Sequence, residues 1–542
     1  MRKSNSPFHK WVSKPLGIFI FFLMFFPILF INGAYTSNIG DMVSGLGIMT
    51  EHIQFSSFAT AVGMAVFTPL TIRYLEIQRP KAEYLIGLSL LALFSFFCAK
   101  TTSIPLLIFC SFFTGFVRMI LIFNTLFSLL GYISGKDMLS AIKPSPIPVS
   151  PDVEDKMDRV KAQGLPFLYL FFLTIGQLGS FFTAWLAYEY EWQYVYYFMI
   201  GLVLTSLIIV ETTMIYQKRL ITSKLSFTKF ADFVTASLVL LSFCFILIYG
   251  KTFDWFDSLY IRVAFIIFLL STGIFLLLQI NTKKHPYMDF KILASKNAII
   301  ALLVFLLGMI LNSSSMLVST FTSISMSLDN WQNAILNNYS LVGYVIGAII
   351  ACLMSKWNMH FKYIFAFSFL CITLSAVYMY FQYQSMGLYN NLIFPIILRS
   401  VGMIIFYAMA GIWGMRKLNM VFVTSWIFLM LAFRSVIGPV VGSAIYSNVM
   451  NKKQQYYITS LSENVDMMNP EAANIFSQTQ MGAMMQGKSY ENAQILATRS
   501  AKGRVQVQAM LSSLKEIAGW TIFFGAGCIV IVLIIPYKQK KE

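Results

Sequence analysis

Fourteen apolar tracts of spanning length recur along this chain, and they restrict its fold more than any other feature. Crossing the hydrocarbon core of a bilayer takes about 20 helical residues, and inside it every backbone N–H and C=O must be satisfied within the chain. Tracts of that length are therefore expected to be membrane helices. They run from Leu16 to Ala34, His52 to Ile72, Ala82 to Ala99, Ile104 to Leu130, Pro166 to Tyr188, Tyr194 to Tyr216, Phe230 to Tyr249 and Leu259 to Ile280. The remaining six run from Ala298 to Thr320, Ala334 to Met354, Tyr363 to Tyr383, Leu392 to Gly414, Val421 to Tyr446 and Ile517 to Ile535. A soluble globular chain is excluded on composition as well: 12% of the residues are charged, against about 25% in soluble domains. The first tract is too long for a signal-peptide core and reads as an uncleaved helix.

The formal charge of +17 finds its explanation in the loops. If the N-terminus is cytoplasmic, the loops on its side hold Arg73, Arg79, Lys81, Lys218, Arg219, Lys224, Lys283, Lys284, Lys291, Lys296, Lys356, Lys362, Arg416 and Lys417. The opposite short loops hold little beyond Lys100 and Lys251. This is the positive-inside pattern, so both termini are expected in the cytoplasm and the protein in the bacterial inner or plasma membrane. No nucleic-acid partner is needed to account for the charge. The six cysteines lie in or beside apolar tracts without a CxxC pair, which indicates neither a disulfide framework nor a zinc site.

Arg118 stands in the middle of the fourth tract. A cation at the bilayer centre costs at least about 2.5 kcal/mol, so it is expected to face protein or a water-filled cavity. At helical spacing Ser111, Thr114 and Thr125 share its face, with Gly115 beside them. Arg399 and Arg434 also lie deep in their tracts and, like Arg118, are expected to line the central cavity or to pair within the second half, whereas Arg262 reads as a snorkelling interfacial cation.

Two segments outside the tracts are long. Residues 134–164 space four prolines and suggest a linker closing with a short helix around Val153 to Ala162. Residues 448–514 read as one or two polar helices on the other side. Their methionines, Met467, Met468, Met481, Met484 and Met485, could ligate Cu(I), but without Cys or His beside them they are expected to pack within the loop.

The six, two and six arrangement, together with local motifs, resembles the fourteen-span drug:proton antiporters of the major facilitator superfamily. His285-Pro286-Tyr287-Met288-Asp289-Phe290 is similar to the family's linker after span eight, and Phe394 to Gly402, around Arg399, to its span-twelve motif. Arg434, Gly438 and Gly442 resemble its span-thirteen motif with the glycines shifted, and Arg118 stands where the superfamily's membrane arginine is expected. The resemblance implies an all-α fold of two six-helix bundles plus two central helices. Its units would be residues 1–217, a linker pair at 218–283, and 284–542 with the loop 448–514.

The departures from that pattern bear on mechanism. The loop after span two keeps an acid, Glu76, but loses both glycines. Glu76, Arg79 and Lys81 then form either a gate ion pair or a solvated basic loop. Of the span-five motif only Gly179 and the following Trp192 remain, and Gly179 is expected to serve helix packing. The span-one aspartate of the family is absent, its positions being Phe30-Ile31-Asn32-Gly33. The acids and bases left for proton coupling are Asp41, Glu51 and His52 near the outer surface, and Glu211 at the inner end of span six, which alternatively snorkels.

Three functions are then open. The first is proton-driven export of amphipathic or drug-like small molecules by alternating access, for which the resemblance admits a periplasmic adaptor and an outer-membrane channel as partners. The second is a carrier of another solute, uniporting or coupled to a different ion. The third is a membrane enzyme, disfavoured because the four histidines fall in separate segments. No phosphate-binding GxxxxGK[ST] sequence is present, and no cofactor is expected.

Overall fold

The structure is a computed structural model that describes residues 7–70, 80–134, 151–216, 227–282, 286–384, 387–416, 418, 422–463, 465, 468–535 and 537. Among them thirteen helices are long and apolar enough to cross a membrane, and the apolar helix Lys14–Phe30 is shorter. In chain order these are α1 (Lys14–Phe30), α2 (Thr50–Leu70), α3 (Pro80–Lys100), α4 (Ile104–Ser134), α5 (Pro151–Glu189), α6 (Trp192–Thr213) and α7 (Phe227–Tyr249). They continue with α8 (Leu259–Asn281), α9 (Lys296–Ser325), α10 (Asn330–Lys356), α11 (Phe361–Gln382), α12 (Tyr389–Met415), α13 (Val423–Ser462) and α14 (Tyr490–Ile534). We refer to the side on which α1 begins and α14 ends as the basic face.

Two sets of six helices pack in matching ways. In the first, α4 lies on α2 and α3 while α3 lies on α6; in the second, α12 lies on α10 and α11 while α11 lies on α14. Helix α1 touches α4, α5 and α6, and α9 correspondingly touches α12, α13 and α14. The sets meet where α5 packs on α10 and α12, and where α2 meets α13. Helix α7 lies against both α2 and α13, and α8 packs on α7 and turns Leu259, Ile266, Leu270, Leu277 and Ile280 outward. A helix apolar on all sides at the rim of a bundle is a lipid-facing helix.

Helices α1, α9 and α13 are interrupted, each for a local reason, and α10 has a further one-residue break at Tyr339. Helix α1 carries Pro27 and ends at Phe30, after which Ile31 is extended and the chain returns through a 3-10 turn at Thr36–Asn38 to an α-helix at Ile39–Leu46. Helix α9 breaks between Asn312 and Ser315, where the Ser313 hydroxyl turns back to the Met309 carbonyl and competes with the backbone ladder. In α13, residues Ala432–Ile437 form a π-helical turn just before Gly438 and Pro439. Proline offers no N–H to the carbonyl four residues earlier, and a one-residue slip of the ladder absorbs the loss.

Two expectations about the long segments change. The helix anticipated at Val153 to Ala162 is not separate, because α5 runs unbroken from Pro151 to Glu189. The 448–514 segment consists of the ends of α13 and α14 and a helix at Pro470–Met485 that packs on α14. Its methionines do not pack inside: Met468 and Met485 are 89% and 87% exposed. Where the Pro470–Met485 helix lies along the first part of α14 the buried positions are alanines, Ala483, Ala493 and Ala497, which let the helices approach too closely for a thioether between them. Met467 lies outside the described residues.

Candidate functional site

The last carbonyls of any helix lack intrahelical donors, and α1 ends inside the first bundle, where water cannot supply them. Arg118 of α4 fills that role. Its Nη2 donates to the Leu29 carbonyl at 2.8 Å and its Nη1 to the Ile31 carbonyl at 3.1 Å, a cation at the negative end of a helix. Its Nε–H is buried with no partner among the described residues. The unwound stretch is pinned on its other side by Tyr196 of α6, whose hydroxyl donates to the Gly33 carbonyl at 2.7 Å. Gly33 itself lies against Ser111 so closely that a Cβ would overlap the serine backbone. Of the polar residues grouped with Arg118, Ser111 thus faces the α1 break, Thr114 has a buried hydroxyl without a partner among the described residues, and Thr125 accepts from Tyr84 of α3 at 2.9 Å.

The second bundle has its own counterpart around the breaks of α9 and α13. Gly442 packs on Ser313 and Gly438 on the Met309 side chain, so these two glycines seat α13 on α9. Between them and the basic face the Arg434 guanidinium sits 5.1 Å from the Tyr407 ring and 5.4 Å from the Tyr169 ring. Tyr407 belongs to α12 and Tyr169 to α5, so this cation is held by aromatic faces from both bundles. Gly179 of α5 is close to the Phe30 ring at the end of α1.

The remaining candidates lie elsewhere. Asp41 accepts from Asn330 Nδ2 at 3.1 Å, which joins the two bundles at the face opposite the basic one. Glu211 is 54% exposed at the end of α6 and pairs with Lys81 at the start of α3. Glu76 and Arg79 lie outside the described residues. Arg399 lines a small pocket within the second bundle, not the seam between bundles. At the face opposite the basic one, His52 Nδ1 lies 2.6 Å from the Tyr249 hydroxyl and Glu51 accepts from Thr252 at 2.9 Å.

Sequence reasoning passed over Asp232 of α7. Among the described residues it is the only buried carboxylate, and its Oδ1 accepts from Gln279 Nε2 of α8 at 2.9 Å. The Gln279 Oε1 accepts in turn from the Met288 N–H at 3.0 Å, the Asp289 N–H donates to Ser425 of α13 at 3.1 Å, and the Tyr287 hydroxyl donates to the Val66 carbonyl of α2. The central helix pair is thereby tied to both bundles through the Tyr287-Met288-Asp289 segment. A signal was present: Lys229 and Asp232 stand three residues apart in an otherwise apolar helix. The described residues contain no group of three His, Cys, Asp or Glu side chains placed to hold a metal ion.

No family model and no curated protein sequence matches this chain. Solved structures do. A structure of a point mutant of the nucleoside transporter NupG superposes with a TM-score of 0.52 at 12% identity, covering 94% of this chain and 98% of that one. The structure of NupG itself gives 0.51 at 11% identity, covering 96% and 99%. At such identities the likeness speaks for the fold alone, and it is the major facilitator fold, here with the additional pair α7 and α8.

Proposed function

We propose that this protein is a multi-pass secondary transporter that exports small amphipathic or drug-like molecules by alternating access, driven by inward proton movement. The observation that carries the reading is the pair of interrupted helices, α1 and α9, at matching places in two bundles. Discontinuous helices in paired repeats form the solute sites of secondary transporters, because only a broken helix offers free backbone groups at membrane depth. Arg118 stands beside the α1 break, and Arg434 lies in the π-helical turn of α13, which packs on α9. The direction of transport and the class of solute rest on the sequence resemblance to drug:proton antiporters.

In this reading the coupling carboxylate is Asp232, which is shielded from water and hydrogen-bonded to Gln279. Gaining a proton gives the carboxyl an O–H donor and removes the charge that strengthens its bond from the Gln279 amide, which favours rearrangement of that amide. That loosens the link through Met288 to the second bundle. The termini lie in the cytoplasm of a bacterial inner membrane, and the 448–514 helices would meet a periplasmic adaptor of an outer-membrane channel.

The test is transport in proteoliposomes under an imposed pH gradient, screened over amphipathic dyes. Gradient-dependent accumulation that a protonophore abolishes, and that Asp232→Asn uncouples, is expected. Transport indifferent to the gradient would move the assignment to a uniporter. Accumulation that stays gradient-driven in Asp232→Asn would remove Asp232 from the coupling role. A cysteine at Ser489 should react with a membrane-impermeant thiol reagent in cells with a permeabilised outer membrane; protection there would reverse the orientation.

A further inference from the structure

The three membrane arginines are not held alike. Arg118 has two helix-end carbonyls and Arg434 two aromatic faces, whereas among the described residues no hydrogen bond or ion pair reaches the Arg399 guanidinium. It borders a pocket of about 20 Å³ inside the second bundle, lined by α9, α11, α12 and α14. Ser314, Val318, Ser375, Tyr383 and Thr521 share the wall, and no carboxylate does. Leaving a cation in such a place without a compensating charge is strongly unfavourable.

The donors around the pocket sort by what they already hold. Ser375 donates to the Pro395 carbonyl at 2.6 Å and Thr521 to the Ile517 carbonyl at 2.8 Å. Among the described residues the Tyr383 hydroxyl, on a side chain 4% exposed, has no hydrogen-bond partner, and neither does the Ser314 hydroxyl. Ser314 also opens the helical turn Ser315–Ser325 beyond the α9 break, whose N-terminal end adds partial positive charge to the same wall. A guanidinium, a phenol and a serine hydroxyl therefore converge on one void with nothing negative in it.

We propose that this pocket binds a small inorganic anion of the size of chloride, as the counter-ion of Arg399. Volume sets the class, since a void of this size holds about one water-sized body, too little for an organic carboxylate. The anion would neutralise Arg399 and bridge α9, α11 and α12 through Ser314, Tyr383 and Arg399. The site stands on the pocket alone, whether or not the protein is a proton-driven exporter.

The experiment uses the full-length protein purified in detergent, with thermal unfolding followed at constant ionic strength as gluconate is replaced by chloride or bromide. A saturable rise in melting temperature with either halide is expected, and Tyr383→Phe should move its midpoint several-fold to higher concentration. Arg399→Gln should abolish it while Arg118→Gln keeps it. To cover the case in which Arg399→Gln fails to fold, bromide is also located by anomalous scattering in crystals of the unaltered protein, with a peak expected against Arg399. Equal melting in gluconate and chloride, or bromide sites that omit this pocket, would overturn the proposal. A rise with acetate equal to that with chloride would overturn the size assignment.

Discussion

Lys81 Nζ lies 3.3 Å from the Glu211 carboxylate and donates to the Glu211 backbone carbonyl at 2.9 Å, joining the start of α3 to the end of α6. The two partners are unequal: the Lys81 side chain is 6% exposed and that of Glu211 54%. An exposed carboxylate contributes little to such a pair, of order 0.2–1 kcal/mol. Glu211→Gln is expected to transport at the parental rate and to unfold within a few degrees of the parent. Lys81→Met removes the donor from a carbonyl as well, and should cost about 1–3 kcal/mol. Loss of transport in Glu211→Gln at normal expression would show that its charge acts in the cycle.

Arg118→Ala should leave a protein that inserts normally but transports poorly. Insertion improves when a buried cation is removed, while the Leu29 and Ile31 carbonyls lose their donors and the α1 break loses its clamp. Arg118→Lys should recover transport only in part, since a single ammonium cannot span both carbonyls in the same planar geometry. Parental transport by Arg118→Ala at matched expression would reduce the residue to a structural remnant.

Backbone contact between α2 and α4 depends on Gly115, where a Cβ would fall on the Thr60 carbonyl oxygen. Gly115→Ala is expected to cost about 1–3 kcal/mol through overpacking, seen as a lower melting temperature in detergent. Gly176 offers the control, as nothing lies within 4 Å of the place its Cβ would take. Gly176→Ala should be neutral or slightly stabilising by helix propensity. Equal melting of the two variants would count against the close approach.

The Asp41 and Asn330 contact bridges the bundles at the face opposite the basic one. If alternating access separates them, the double variant Asp41→Cys with Asn330→Cys, joined by a short bismaleimide, should lose transport while either single cysteine variant retains it. Full transport by the cross-linked protein would mean that this contact persists throughout the cycle.

His360 caps α11 from a loop on the basic face, its Nδ1 accepting from the Lys362 N–H at 3.3 Å. Burial first, then the charges of Lys362 and Arg416, push its imidazole below the usual histidine range. The unfolded chain therefore binds this proton more readily than the folded one. The contribution to stability is present above the unfolded value near 6.5 and is lost as pH falls through the folded one. Melting temperature should drop on acidification below about pH 6.5, and His360→Gln should flatten that slope.

The membrane helices and their order were legible in the residues, because length and hydropathy act locally and each tract declares itself alone. Arg118, Arg434 and Gly438 were also visible, since a charge or a glycine inside an apolar tract stands out. The surroundings of Glu211 and Arg399 were not, because they depend on neighbours in other helices: Lys81 for the first, a pocket lined by four helices for the second. Asp232 escaped notice at the edge of its tract, where a carboxylate ordinarily reaches water. Only the packing of α8 on α7 buries it against Gln279.

By itself, then, the sequence determined that this chain is a bundle of membrane helices with a small set of costly charges inside it, since a continuous apolar tract of about 20 residues satisfies its backbone hydrogen bonds in a bilayer as a helix. Tertiary structure decided what each charge meets. Whether a buried cation faces carbonyls, aromatic rings or an empty pocket depends on helices far apart in the chain, and no local periodicity encodes which of those surfaces will face it.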